Sequence, residues 1–306
     1  MTELENRHAR PLGRLTLADA RHAESLAPAD ASRLRVVVDD ADGTIVAFAF
    51  ADDGLGQIGI PGVLRAFVRV DHTRTGRGIG QVLADRVEAY AAAERATRIV
   101  ALLREDEPRG VSFARRRGYT EFHRRFRAFL DLEACDTARF PDPDDLATRA
   151  GVRLLDHGAR MRERGTDAAL REAHAAHRRY VQDIPRPRLR PTETFDQWLA
   201  DGPGSPTFAA SASFYALREG RLVGLTLSEI TRTGVAHTIM TGVDRDQRGK
   251  GLALALKLKA ITALRVAGVR FTGTSNDKDN LPMLAVNRRL GYVPEPAIIH
   301  MERQRR

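Results

Sequence analysis

Arg248-Gly249-Lys250-Gly251-Leu252-Ala253 decides how this chain folds. It follows a run of strand character, Ala236 to Val243. It opens a long segment, Gly251 to Ala267, in which Leu252, Leu256, Ala260 and Leu264 recur at helical spacing. A glycine-rich turn from strand to helix leaves backbone N–H groups unpaired where the helix begins, and those groups together with the helix dipole favour an anion. Glycine also lets the backbone approach a pyrophosphate where a side chain would collide. Arg248 and Lys250 add positive charge. Neither a Gly-x-Gly-x-x-Gly fingerprint nor a Gly-Lys-Ser/Thr phosphate loop is present.

The turn occurs twice. Val70-Asp71-His72-Thr73-Arg74-Thr75-Gly76-Arg77-Gly78-Ile79-Gly80 aligns with Val243-Asp244-Arg245-Asp246-Gln247-Arg248-Gly249-Lys250-Gly251-Leu252-Ala253 at an offset of 173. Gly118-Tyr119 and Gly291-Tyr292 keep that offset, and Gly43 to Phe48 resembles Gly220 to Leu225 at an offset of 177. Three blocks in one order indicate an internal duplication. The expected organisation is a domain over 1–135, a linker over 136–150 that contains Pro141-Asp142-Pro143-Asp144-Asp145, and a second domain over 151–306.

Each half has the pattern of an α+β (mixed α/β) fold. In the second, Asp167 to Ile184 reads as a helix, followed by a loop through Pro185, Pro187 and Pro191 and a short helix at Trp198. Ser213 to Leu217 and Leu222 to Ile230 read as a hairpin, Val269 to Thr274 as a strand, Leu281 to Leu290 as a helix, and Ile298 to Glu302 as the closing strand. The first half repeats this with strands at Leu34 to Val38, Thr44 to Ala51, Leu64 to Val70, Ile99 to Leu103 and Arg125 to Leu132. Its helices fall at Gly80 to Ala96 and Gly110 to Arg117.

With these residues the chain resembles the GNAT superfamily of N-acetyltransferases, as a tandem member of actinobacterial type. That family has Arg/Gln-x-x-Gly-x-Gly/Ala at the turn, matched here by Arg248, Gly251 and Ala253. The first copy keeps Gly78 and Gly80 but has Thr75 in place of the Arg or Gln. Leu290-Gly291-Tyr292 and Arg117-Gly118-Tyr119 resemble the family's Leu-Gly-Phe/Tyr signature. The resemblance implies two tandem domains, each a mixed, mostly antiparallel sheet flanked by helices, with acetyl-CoA as cosubstrate. It also implies that Arg248, Gly249, Lys250, Gly251, Leu252 and Ala253 cradle the pyrophosphate, and that backbone groups of Gly242 and Val243 bind the thioester carbonyl and the pantetheine arm.

Acetyl transfer to an amine requires a group to take the amine proton, polarisation of the carbonyl and stabilisation of the departing thiolate. Two residues are candidates for the base. His237 precedes Arg248 on its strand, where several family members have a catalytic glutamate. Glu229 ends the preceding strand. Leu64 occupies the first-copy position of His237 and cannot serve. Many members use a tyrosine as acid four residues before the signature glycine; Asn287 and Ala114 stand there instead. Asn287 can still donate a hydrogen bond to sulfur or pantetheine, and Asn280 is a further candidate cofactor contact. These differences make the second domain the expected catalytic one and the first degenerate.

Composition narrows the classes. The chain has 306 residues, 42% hydrophobic and 29% charged, which supports folded cores rather than disorder. No run reaches the roughly 20 apolar residues of a membrane span, and the first 30 residues lack an apolar signal segment. A cytoplasmic protein with no membrane association is expected. Cys135 is the single cysteine, so no intrachain disulfide or cysteine metal cluster can form. His174 and His177 are spaced i, i+3 without a third ligand, and no metal is expected. Net charge is +9, and only four of the 49 basic residues are lysine. Guanidinium suits anionic ligands, but no basic stretch is interleaved with aromatics, which weighs against nucleic acid. The expected partner is a small-molecule or peptide amine acceptor, and a homo-oligomer is allowed. An acyl-CoA-binding or scaffold protein without catalysis is the alternative.

Overall fold

The computed structural model describes residues 1–8, 14, 16–25, 31, 33–53, 60–184 and 193–305. The loop through Pro185, Pro187 and Pro191 lies outside the described residues. The chain divides into two compact units, one containing Met1–Arg125 and Pro296–Arg306, the other Phe126–Arg186 and Thr192–Glu295.

The first unit begins with α1 (Thr2–His8) and α2 (Leu17–Ser25). β1 (Arg33–Asp39), β2 (Ile45–Asp52) and β3 (Val63–Val70) follow, then α3 (Ile79–Ala93), β4 (Arg98–Arg104), α4 (Pro108–Arg116) and the first half of β5 (Thr120–Asp131). β1, β2 and β3 pair antiparallel, whereas β3 and β4 pair parallel. Alternate residues of a strand share a face. Ala47, Ala49 and Ala51 of β2 therefore join Leu64 and Ala66 in a core with Leu83, Val87 and Ala91 of α3.

The second unit takes the rest of β5, then α5 (Pro143–Arg149), β6 (Arg153–Asp156), α6 (His157–Arg164), α7 (Thr166–Gln182) and α8 (Phe195–Asp201). The hairpin β7 (Phe214–Arg218) and β8 (Arg221–Ile230) leads to β9 (Ala236–Val243), α9 (Leu252–Val266), β10 (Phe271–Asp277), α10 (Leu281–Leu290) and β11 (Val293–Pro294). β6 to β9 pair antiparallel in sequence order, β9 and β10 pair parallel, and β10 lies beside β5. Each unit is thus a mixed, mostly antiparallel sheet with helices. α9 is buried along most of its circumference: Leu254, Leu258 and Ile261 enter one apolar cluster, Leu252 and Leu256 another.

Two elements depart from the boundaries drawn at 1–135, 136–150 and 151–306. The stretch 136–150 contains α5 instead of a bare linker. The Asp142 carboxylate accepts from the N–H groups of Asp144 and Asp145, and Pro143 occupies the first turn. An aspartate cap followed by proline and acidic residues is a helix start. The last strand, β12 (Ile298–Gln304), does not close the second unit. It pairs antiparallel with β4 and β5 inside the first, and Ile299 and Met301 complete that unit's core. β5 also starts earlier than Arg125, at Thr120.

Candidate active site

The strand that carries His237 is irregular. Leu227 of β8 faces Met240 of β9 and Ser228 faces Thr238, so Ile239 has no partner and β9 bulges there. On its other side β9 pairs with β10 through only two residue pairs, Thr272 with Ala236 and Gly273 with His237. Both strands run on, to Val243 and Asp277, without further pairing between them. Backbone groups of β9 beyond that rung therefore face a wedge between parting strands, and such groups need a partner.

His237 stands at the mouth of the wedge, with its Phe129 neighbour edge-on at 5.7 Å between ring centroids. Gly273 makes the space. A Cβ there would lie 2.5 Å from His237 Nδ1 and 2.7 Å from Phe129 Cε1. Burial, reinforced by the Arg127 charge, lowers the His237 pKa to about 4, so the ring is neutral at physiological pH. Glu229 is its cross-strand partner. Directly opposed residues share a face with Cβ atoms about 5 Å apart, which brings the two candidate bases together. The Glu229 carboxylate accepts from Thr207 Oγ1 at 3.4 Å.

The turn after β9 has the geometry of an anion cradle. Gly249 (φ 78°) and Gly251 (φ 82°) are both left-handed, a conformation that disfavours any side chain. Gly251 caps α9 without a side-chain hydrogen bond, leaving the first N–H groups of the helix, on Leu252 and Ala253 among others, without an intrahelical acceptor. Arg248 donates from Nε to the Val243 carbonyl (3.1 Å) and from Nη2 to Asp183. Arg245 also donates to Asp183, which lowers that carboxyl's pKa through hydrogen bonds to Arg245 and, next, to Arg248. Lys250 Nζ donates to Gln247 Oε1 at 2.9 Å. Gly242 is a glycine of close approach: a Cβ there would fall 2.2 Å from the Tyr180 ring. Val243 and Leu252 bury their side chains in the core, so they can offer a ligand only backbone.

On α10, the Asn280 side chain accepts from the Met283 N–H and so caps the helix. Asn287 is buried and donates from Nδ2 to Asn276 Oδ1 at 2.6 Å. His174 packs with Phe195 and Trp198 and faces the Glu193 carbonyl, and His177 lies beside Trp198. Among the described residues no group of three metal-ligating side chains converges, and no helix is long and apolar enough to cross a membrane. Sequence reasoning missed Gly273 and Phe129. A glycine within a strand is a signal of close approach and could have found the first.

The sequence model of the acetyltransferase (GNAT) family matches residues 4–119 and 168–292. A mycothiol acetyltransferase from Nocardiopsis dassonvillei is 29% identical over 297 residues, 92% of this chain and 84% of the relative. Two solved structures share the fold. A GCN5-related N-acetyltransferase from Sphaerobacter thermophilus has a TM-score of 0.67 at 19% identity over 88% of this chain and 80% of its own. A tandem GNAT protein from the clavulanic acid biosynthesis pathway has a TM-score of 0.67 at 21% identity over 95% of this chain and 88% of its own.

Proposed function

The chain belongs to the GNAT acetyltransferase family, and on that footing we propose that its second unit moves an acetyl group from acetyl-CoA to a primary amine. One observation carries this reading: the left-handed glycine turn at Gly249–Gly251 follows directly on the strand whose bulge and early parting from β10 open a wedge at His237 and Glu229. The turn fits a pyrophosphate, because it offers helix-start N–H groups and no obstructing Cβ; Lys250 adds a cation, and Arg248 would exchange Asp183 for the phosphate. Gly242 and Val243 would hold the pantetheine arm and the carbonyl through backbone groups. Acetyl-CoA supplies the activated thioester.

The remaining chemistry falls to side chains. His237 accepts a hydrogen bond from the incoming amine. A ring with a pKa near 4 holds a proton only briefly, so it passes the amine proton to Glu229 or solvent instead of storing it. The first unit has Leu64 where His237 stands and does not catalyse; it binds CoA more weakly or not at all. The mycothiol acetyltransferase relative makes a mycothiol-type amine the first acceptor to assay. The test is thiol release from acetyl-CoA across a panel of amines that also includes aminoglycosides and peptides. Release that requires one amine class supports transfer. Binding of CoA with no release for any amine supports the non-catalytic alternative, which the replacement of the family's tyrosine by Asn287 favours.

A further inference from the structure

Asp183 brings an anion of the chain itself to the glycine turn. It ends α7 as the C-cap, and its carboxylate takes both guanidiniums of the turn. Oδ1 accepts from Arg245 Nε (2.8 Å) and Nη2, and Oδ2 accepts from Arg248 Nη2. The Asp183 side chain is 13% exposed, against 77% for Arg245 and 48% for Arg248. The cations are open to solvent and the acid is sheltered. Two structural roles do not account for this contact. The ion pairs do not shape the turn: the first copy has His72 and Thr75 in place of Arg245 and Arg248, yet Thr75 lies at φ −67°, ψ 157° against −68°, 161° for Arg248. Nor does the carboxylate complete the helix. It faces the negative end of the α7 dipole, where a cation is preferred, and the cap bond runs from the Asp183 N–H to the Tyr180 carbonyl (3.1 Å). The neighbouring Asp244 differs. Arg179 of α7 and Arg221 hold it, and Arg7 of α1 holds Asp71 in the same way, so that pairing belongs to both copies.

We propose that Asp183 is an internal competitor for the diphosphate of CoA: it holds Arg245 and Arg248 until the diphosphate replaces it, and so limits how tightly the second unit binds acetyl-CoA and the CoA product; this rests on the acetyl-CoA reading above. Both forms of the cofactor carry the same diphosphate, so the competitor that weakens substrate binding also weakens product inhibition.

The balance of contacts permits the exchange. Ion pairs whose cations are solvent-exposed contribute little each, so two of them lower the affinity without preventing binding. A diphosphate brings more negative charge than one carboxylate, matches the guanidinium fork and also meets the helix-start N–H groups. Hydrogen bonds from Arg245, and next from Arg248, hold the Asp183 carboxyl below its ordinary value, so the competitor is charged at any working pH.

The test is calorimetric titration with CoA and with dephospho-CoA, which keeps the diphosphate and lacks the 3′-phosphate. Asp183→Asn should bind both roughly tenfold more tightly than wild type, and Asp183→Ala should do the same. Asp246→Asn removes a carboxylate of the same turn that pairs with Arg221, and should change affinity less than about twofold. In an Arg248→Gln background, where one partner of Asp183 is gone, Asp183→Asn should gain no more than about threefold. Weaker binding in Asp183→Asn would make the acid a support that orients the arginines, and the proposal fails. It fails equally if Asp246→Asn gains as much, since net charge then explains the effect, or if the gain appears with CoA and not with dephospho-CoA, since the 3′-phosphate is then the group in competition. If CoA binds neither wild type nor Asp183→Asn, the acetyl-CoA reading fails and takes the proposal with it.

Discussion

The two glycine turns have the same backbone and different surroundings. Asp71 and Asp244 lie at φ −55°, ψ 137° and φ −53°, ψ 142°; Thr75 and Arg248 at φ −67°, ψ 157° and φ −68°, ψ 161°. Gly76 and Gly249 share φ 78°, and Gly78 and Gly251 differ by 2°. The strands leading in diverge. β3 pairs with β2 without a bulge and with β4 through four rungs, Val63 to Ala66, with Leu64 buried in the core. β9 bulges at Ile239 and keeps two rungs with β10, with His237 at the second. β3 and β4 also part, after Ala66 and Ala101, but two residues beyond Leu64, the position that corresponds to His237. Glycine placement therefore preserves the turn's backbone, while the opening before it is shorter and has Leu64 in place of a base. The second strand differs in its bulge at Ile239 and in having His237 at the mouth of the opening.

The largest expected effect separates the turns. Gly251→Val places a β-branched side chain at φ 82° against Leu146, and CoA-dependent turnover should fall at least about 100-fold. Gly78→Val should reduce thermal stability and leave turnover per folded molecule within about threefold. Steady-state kinetics with folding checked by circular dichroism reads both, and equal losses would erase the distinction.

Removing the groups at the wedge comes next. His237→Ala should lower kcat by roughly 100-fold without changing CoA affinity. If His237→Ala is near wild type while Glu229→Gln is inactive, the base is Glu229. Activity in both leaves the wedge without a role. A smaller effect, roughly 10-fold, is expected from Gly273→Ala, because its Cβ must displace the His237 ring. Nearly unchanged activity there would mean that the ring position does not matter.

The smallest effect is on stability. The folded pKa of His237, about 4, lies below the ordinary 6.5, so the unfolded chain binds the extra proton between those values. Its contribution is complete above about pH 6.5 and is lost as pH falls toward 4. The Tm of His237→Gln should be less sensitive to pH in that window than wild type. A parallel pair of curves would show that the ring titrates normally.

Much of this was legible beforehand because it is local. The duplication, the glycine turns and the helical period of α9 are patterns within a few residues. Strand partners are not. The alternation in Ile298–Gln304 marks a strand but does not say which sheet accepts it, and it joins β4 and β5. The bulge at Ile239 depends on register against β8, which no single strand encodes. Asp142-Pro143 carried a helix-start signal that its prolines made look like a linker. Lys257 sits in an amphipathic pattern where a lysine reads as solvent-facing, and only the close packing around α9 reveals it as buried.

One turn of the two, Gly249–Gly251, is expected to hold CoA. Titration calorimetry of CoA into wild type, Gly78→Val and Gly251→Val tests it directly. One strong site is expected in wild type, the same site in Gly78→Val and none in Gly251→Val. Two equal sites in wild type, or binding that survives in Gly251→Val and vanishes in folded Gly78→Val, would contradict it.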